Sequence, residues 1–517
     1  MKNKIILTTL APKTHRTSEE NLGILYLKSA LQEKGYNVTV IDGWLNELSV
    51  EEVYERIIKD KDILYVGISS YMSNTEPTIK LINMLKKHNK ELKIVCGGFG
   101  PTFYPEDYLN ANADIVARGE GEETLVELAD ALSKNMSIEN IENISYKKEG
   151  NIHHNPSKKL LDNLDELPFP SREMIPVLKK KKSTVNMVTS RGCSGNCEFC
   201  SVISFFRLSK GKVWRTRSIE NIVDEIEELY NKGITYIKMV DDSFIDGTRD
   251  EKWAYDFANE IEKRGIKVKL RGQIRADKVT DNILYDLKRA GFFSFACGIE
   301  NGSPTALKRM NKAATLEDNE MALELFKKYN YLVQMGFILF DKETTINELE
   351  DNYNFLNKYD FTVTKGIFSE MYSAEGTKLN SKLRNNGTLL ESNFVDNNNK
   401  YIINNEDVRK IYSALKRWHK AHSEIYDMAV DPLNAPKAIS DMEMNDFYGE
   451  VMKLKKQDLL FFRDVLDIVK TDKKILDSYV EEKLRNDESF YNNINQKVLK
   501  LYKTSGLEYH ASKNPFI

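Results

Sequence analysis

Between residues 3 and 133 the sequence alternates apolar, strand-like runs with amphipathic helical ones five times, and no other feature restricts the fold as strongly. Strands read at 4–9, 37–41, 63–68, 93–96 and 114–117, and helices at 21–34, 50–59, 77–88, 105–110 and 122–132. A helix after every strand returns the chain for parallel pairing, so the pattern predicts a doubly wound, Rossmann-like α/β domain over 1–140. Ligands of such sheets bind beyond the carboxyl ends of the strands. Three of those ends carry small residues: GISSY (67–71), GGFGPT (97–102) and RGEGEETL (118–125). Glycine lets the backbone approach a ligand closely, and hydroxyls can donate to one. No G-x-G-x-x-G follows the first strand, which disfavours a nicotinamide or flavin dinucleotide.

The alternation pauses over 141–182, a connector with a hairpin-like stretch and prolines at 168, 170 and 176, then resumes at Ser183. Strands are expected at 184–190, 234–240, 266–273, 293–299, 331–339 and 362–371, within a unit spanning 183–372. Six βα units are too few for an eightfold barrel, and functional residues of any parallel barrel belong at the strand C-terminal ends. Residues 373–517 show helical periodicity near 406–427, 441–485 and 487–503, without a metal or nucleophile motif. A chain of 517 residues suits roughly three domains.

Directly after the first strand of the second unit come Cys193, Cys197 and Cys200, spaced C-x3-C-x2-C. Three thiolates are one short of what a [4Fe–4S] cube needs, leaving one iron open to bind a small molecule. A structural zinc site would need a fourth Cys or His, usually from a second ligand pair, and no such pair occurs. Cys96 and Cys297 lie in apolar strand-like runs and read as buried.

With Phe199 before the third cysteine, this motif resembles the signature of the radical S-adenosylmethionine (radical SAM) superfamily. The order GISS, VCGGFGPT, RGEGEETL, then RGCSGNCEFC, further resembles its cobalamin-dependent branch. That resemblance implies a cobalamin-binding N-terminal domain and a six-stranded partial barrel open to substrate on one side; the helical tail is expected to close the barrel mouth. It implies a [4Fe–4S] cluster on Cys193, Cys197 and Cys200, and S-adenosylmethionine as well as cobalamin. Ser69 or Ser70, with Gly97 and Gly98, would lie beside the cobalamin nucleotide tail, with Gly119 and Glu120 at the next strand end. Asp241 in VDDSF, Gln273 and Arg275 in GQIRAD, and Glu300 in GIENGSP stand where the family contacts S-adenosylmethionine. The cobalamin loop D-x-H-x-x-G has no counterpart: Ser18 and Glu20 occupy the acid and histidine positions before Gly23, implying a cobalt without a lower histidine. The implied activity is radical C-methylation of an unactivated carbon. The alternative is cyclisation, ring contraction or oxidative rearrangement without methylation.

A formal net charge of −3 gives no basic field for nucleic acid. No apolar run reaches the ~18 residues of a membrane span, and five cysteines with three clustered argue for a reducing cytoplasm. A small-molecule substrate is expected, with a peptide as the second option, together with an external electron donor such as flavodoxin or ferredoxin.

Overall fold

The computed structural model describes residues 3–12, 19–390, 401–434 and 436–508. The N-terminal sheet has seven strands in the order β2-β1-β3-β4-β5-β6-β7. They are β1 (Lys4–Thr9), β2 (Asn37–Asp42), β3 (Ile63–Ser69), β4 (Ile94–Gly97), β5 (Ile115–Ala117), β6 (Ile144–Lys148) and β7 (Asn151–His154). The first five pair in parallel; β6 and β7 add an antiparallel hairpin to the β5 edge. The hairpin-like stretch noted after residue 140 is thus part of this sheet. Helices cover both faces, which is why β1 and β3 are buried along almost their whole length rather than alternately.

The second sheet contains β8 (Val185–Met187), β11 (Tyr236–Met239), β12 (Lys269–Arg275), β13 (Phe292–Glu300) and β14 (Leu332–Phe337), all parallel, in the order β14-β13-β12-β11-β8. Between β8 and β11 run β9 (Ser190–Arg191) and β10 (Arg215–Thr216), a short antiparallel pair. The sixth position, expected over 362–371, pairs with β14 and its exit through two isolated parallel bridges, Gln334 with Val363 and Phe340 with Glu370. Gly366, at φ +83°, interrupts the extended backbone between them.

Helices Glu406–Asn434, Asp441–Thr471, Leu476–Asn486 and Glu488–Thr504 form the C-terminal bundle, with the indole of buried Trp418 stacked on Phe461 at 4.0 Å. The periodic stretch 441–485 is two helices, broken at Asp472, whose side chain caps the turn that follows. Lys455 ties the bundle to the barrel by donating to the carbonyls of Tyr359 and Thr362. One continuous apolar core runs from one face of the N-terminal sheet through the barrel into these helices. Among the described residues no helix is long and apolar enough to cross a membrane.

Candidate active site

The three cysteines lie on the loop after β9, each partly exposed and none in a disulfide. Backbone bonds fix that loop: the Glu198 N–H donates to Met310 O at 3.1 Å and the Leu379 N–H to Glu198 O at 2.9 Å. With Phe199 the thiols line a cavity of about 330 Å³ that also touches Asp242, Gln273, Arg275, Glu300 and Lys312. Burial pushes the Cys193 thiol up to about 11, against the Gly195 N–H at 3.3 Å and the Arg275 guanidinium at 3.8 Å, both of which favour the thiolate. Among the described residues no three Cys, His, Asp or Glu side chains converge tightly enough for one metal ion. Three thiols lining one cavity fit a cluster, in which each binds a different iron.

The opposite wall comes from the ends of β12 and β13. Gln273 stands exposed in the cavity. Arg275 also lines it, but its guanidinium is held by Asp277 at 2.9 and 2.7 Å and by Ser194 Oγ at 3.1 Å. It therefore positions the cysteine loop as well as facing the cavity. Glu300 has the left-handed backbone angle φ +67°, at a register shift between Gly298 and Glu300. Such a conformation costs a non-glycine residue on the order of 1–3 kcal/mol and characteristically re-aims a side chain into a site. Its carboxylate lies across Gly298, where a Cβ would come within 2.6 Å of Oε1, and meets Lys312 Nζ at 3.2 Å.

The paired aspartates of VDDSF divide their roles in a way that corrects the sequence expectation. Asp241 does not line this cavity. It is fully buried and accepts from the Thr189 N–H and hydroxyl, from Ser190 Oγ and from Arg249. Successive residues leaving a strand point to opposite sides, so Asp242 is the one that faces the cavities. Burial raises its carboxyl to about 6, opposed by the Gly192 N–H, which donates to it at 2.9 Å.

A second cavity, of about 290 Å³, lies beyond the C-terminal ends of the N-terminal sheet. Gly67, Ser69, Gly97, Gly98 and Gly119 form its backbone floor, Tyr26, Tyr71 and Phe99 its aromatic side, and Phe205, Phe206, Arg191, Val240 and Asp242 of the second unit its far wall. Gly98 has φ +97°, and a Cβ there would meet Ser70 O at 2.7 Å, so only glycine fits. Its largely apolar lining with bare backbone at one end suits a flat macrocycle and an attached nucleotide tail. Ser70 is not on this surface: its hydroxyl is buried against Tyr108, Asn74 and Thr78, the reverse of Ser69 by the same strand alternation. Glu120 lines the cavity with its carboxylate committed to Arg215 at 2.8 and 2.9 Å and to Arg191 at 2.9 Å. It fastens the two units together. Glu20 turns away to accept the Asn186 N–H at 2.7 Å, and Ser18 lies outside the described residues.

A model of the B12 binding domain matches residues 12–129 and one of the Radical SAM superfamily matches residues 187–356. An uncharacterized methyltransferase of Pyrococcus horikoshii is 32% identical over 384 residues, which is 73% of this chain and 81% of that protein. The chain belongs to the cobalamin-binding radical SAM family. An anaerobic magnesium-protoporphyrin IX monomethyl ester cyclase of Synechocystis sp. is 26% identical over 60% of this chain and 62% of its own length. The cobalamin-dependent S-adenosylmethionine radical enzyme OxsB, solved with aqua-cobalamin and S-adenosylmethionine, has a TM-score of 0.78 at 19% identity, covering 98% of this chain and 84% of that one. That likeness extends the shared fold through the C-terminal helices.

A radical SAM enzyme with a B12 domain uses a [4Fe–4S] cluster, S-adenosylmethionine and cobalamin. Residues that sequence reasoning passed over are Asp242, adjacent to the one chosen, and Lys312, which carries no motif. Asn21 is a third: it caps the first helix at Ile24 and donates to Ser69 Oγ at 3.3 Å on the cobalamin side. Two outcomes are expected here. Glu300→Gln weakens S-adenosylmethionine binding ten- to hundredfold, the loss of charge-assisted bonds worth about 1.5–3 kcal/mol, with iron content unchanged; equilibrium binding to reconstituted protein measures it. Among the described residues no histidine lines this cavity; with the cofactor's nucleotide base held away from cobalt beside Ser69 and Gly97, as the family resemblance implies, bound cob(II)alamin is expected to show no axial nitrogen splitting by electron paramagnetic resonance.

Proposed function

We propose that the protein is a radical C-methyltransferase acting on an unactivated carbon of a natural-product or metabolite substrate. The observation that carries this reading is that Asp242 lines both cavities, so a substrate carbon beside it faces the S-adenosylmethionine side and the cobalamin side at once. When bound, the cluster with S-adenosylmethionine supplies a 5′-deoxyadenosyl radical, and cobalamin supplies a transferable methyl group.

The chain's own residues do the positioning. Gln273, Glu300 and Lys312 hold S-adenosylmethionine over the cysteine loop, and Arg275 keeps that loop in place through Ser194. Glu120, Arg191 and Arg215 hold the two units in one relative orientation. Phe205 and Phe206 keep water from the space between them. An external flavodoxin or ferredoxin supplies electrons, and the substrate is a small molecule before it is a peptide. Cyclisation or rearrangement without methylation is the second reading, favoured by the likeness to a cyclase. The test is whether S-adenosylhomocysteine accompanies 5′-deoxyadenosine in a cobalamin-dependent way.

A further inference from the structure

The rim of the cysteine loop is strongly basic in a chain whose formal net charge is −3. The helix Ser201–Phe206 leaves the loop directly, and Phe199 and Leu379 pack with Ala306 and Met310, which brings the helices Pro304–Arg309 and Lys378–Asn385 against it. Across residues 194–210, 304–314 and 375–384 the sequence has two carboxylates, Glu198 and Glu375. Each is already paired with a cation of the same surface, Glu198 with Lys382 and Glu375 with Arg384 at 2.8 Å. Arg207, Lys210, Lys308 and Lys378 are exposed, and among the described residues none of them has an ion-pair partner. Two of them converge on one neutral atom: Arg207 Nη1 lies 2.9 Å and Lys378 Nζ 2.6 Å from Asn196 Oδ1. Cations gathered on a neutral amide repel one another, and an anion arriving there relieves the repulsion.

Asn196 is exposed and immediately precedes Cys197, and consecutive Cα atoms are ~3.8 Å apart. The outer face of the loop therefore comes within one residue of a cluster ligand. Its inner face is the cavity that holds S-adenosylmethionine in the radical SAM reading. Electron tunnelling slows steeply with distance, so a protein carrier must approach from the outer face. Leu208, 46% exposed, offers an apolar contact beside Arg207. Electron-transfer complexes use small interfaces, below about 1,200 Å², and opposite charge brings the partners together.

We propose that this rim is the docking surface for the protein that reduces the cluster, a small acidic one-electron carrier of the flavodoxin or ferredoxin kind. This deepens the radical SAM reading and rests on it. One electron leaves the reduced carrier, which is oxidised, and enters the cluster, which is reduced; no atom passes between the two proteins. Carboxylates of the carrier meet Arg207, Lys308 and Lys378, and the chain's overall negative charge disfavours encounters on its other faces.

The experiment uses protein loaded with cluster, cobalamin and S-adenosylmethionine, with an acidic flavodoxin and, separately, an acidic [4Fe–4S] ferredoxin as probes. Isothermal titration calorimetry measures binding of each oxidised carrier to the wild type, to Arg207→Glu/Lys378→Glu and to Lys210→Glu/Lys308→Glu. The second pair alters side chains that make no hydrogen bond or ion pair among the described residues, so the loop is untouched. The expected result is one saturable site for at least one carrier, weakening as salt rises and at least about tenfold weaker in each double variant. Cluster reduction by that carrier, followed by absorbance, slows in parallel, whereas reduction by the methyl viologen radical cation, which needs no docking surface, does not slow. No saturable binding of either carrier to the wild type at low salt, unchanged affinity in the double variants, or equal slowing with methyl viologen overturns the docking surface. Polyaspartate bound as tightly as the carrier also overturns it, because the rim is then a general anion site. 5′-Deoxyadenosine release driven by methyl viologen reports on the radical SAM reading separately, and its absence from the wild type counts against that reading alone. If Arg207→Glu/Lys378→Glu does not take up a cluster, Lys210→Glu/Lys308→Glu decides, and unweakened binding there overturns the proposal.

Discussion

Replacing Cys193, Cys197 and Cys200 together by alanine is expected to remove all cluster iron and abolish 5′-deoxyadenosine formation, while the chain stays folded and still takes up cobalamin. The loss is complete because the two remaining cysteines, Cys96 and Cys297, are both buried. Cys297 is close by but 1% exposed within β13, its thiol pushed up to about 12 by burial. The fold survives because the loop is held by backbone bonds from Glu198 and Leu379 and by Asp246, which accepts from the Ser194 N–H at 3.0 Å. None of these uses sulfur. Iron analysis, product chromatography and cobalamin absorbance measure the three parts, and residual cleavage of S-adenosylmethionine in the triple variant contradicts the assignment.

Asp241→Ala is expected to destabilise the protein by about 3–5 kcal/mol, the usual consequence of removing one partner of a buried charge pair. Its carboxylate is the anion facing Arg249, whose fully buried guanidinium lies 4.3 Å from the Trp253 ring and is pushed down to about 10 by burial. Removing Asp241 also leaves the Thr189 N–H without its acceptor at 2.7 Å. Asp242→Ala, one residue on, is expected to change stability by less than about 1 kcal/mol, because among the described residues its carboxylate accepts a single hydrogen bond, from the Gly192 N–H. It impairs turnover instead. Denaturant unfolding of the two cofactor-free variants measures the contrast, and equal losses contradict the separation of their roles.

The fold was legible wherever periodicity was strong. The five parallel strands of the N-terminal sheet and the helices between them follow from apolar runs that must be covered on both faces. The sixth barrel position was less so: residues 362–371 look extended, but Gly366 and the bundle against it reduce the pairing to two bridges. At the site, spacing revealed the cysteines, and glycine clusters located the second cavity. What could not be read was which of two adjacent like residues faces inward. Ser69 and Ser70, like Asp241 and Asp242, differ only in strand phase, and phase depends on where each strand ends. Lys312 was invisible for another reason. Its role comes from neighbours distant in sequence, and 75 lysines and arginines in the chain give no single one prominence.

The central claim, that this chain moves a methyl group as well as generating a radical, is tested most directly by the products of S-adenosylmethionine. Reconstituted protein, with and without cobalamin, is given reductant and S-adenosylmethionine labelled in its methyl group, and S-adenosylhomocysteine and 5′-deoxyadenosine are quantified together. Methyl transfer predicts both products from the cobalamin-loaded protein and 5′-deoxyadenosine alone from the cobalamin-free protein. Formation of 5′-deoxyadenosine without S-adenosylhomocysteine, by protein shown to hold cobalamin, contradicts it.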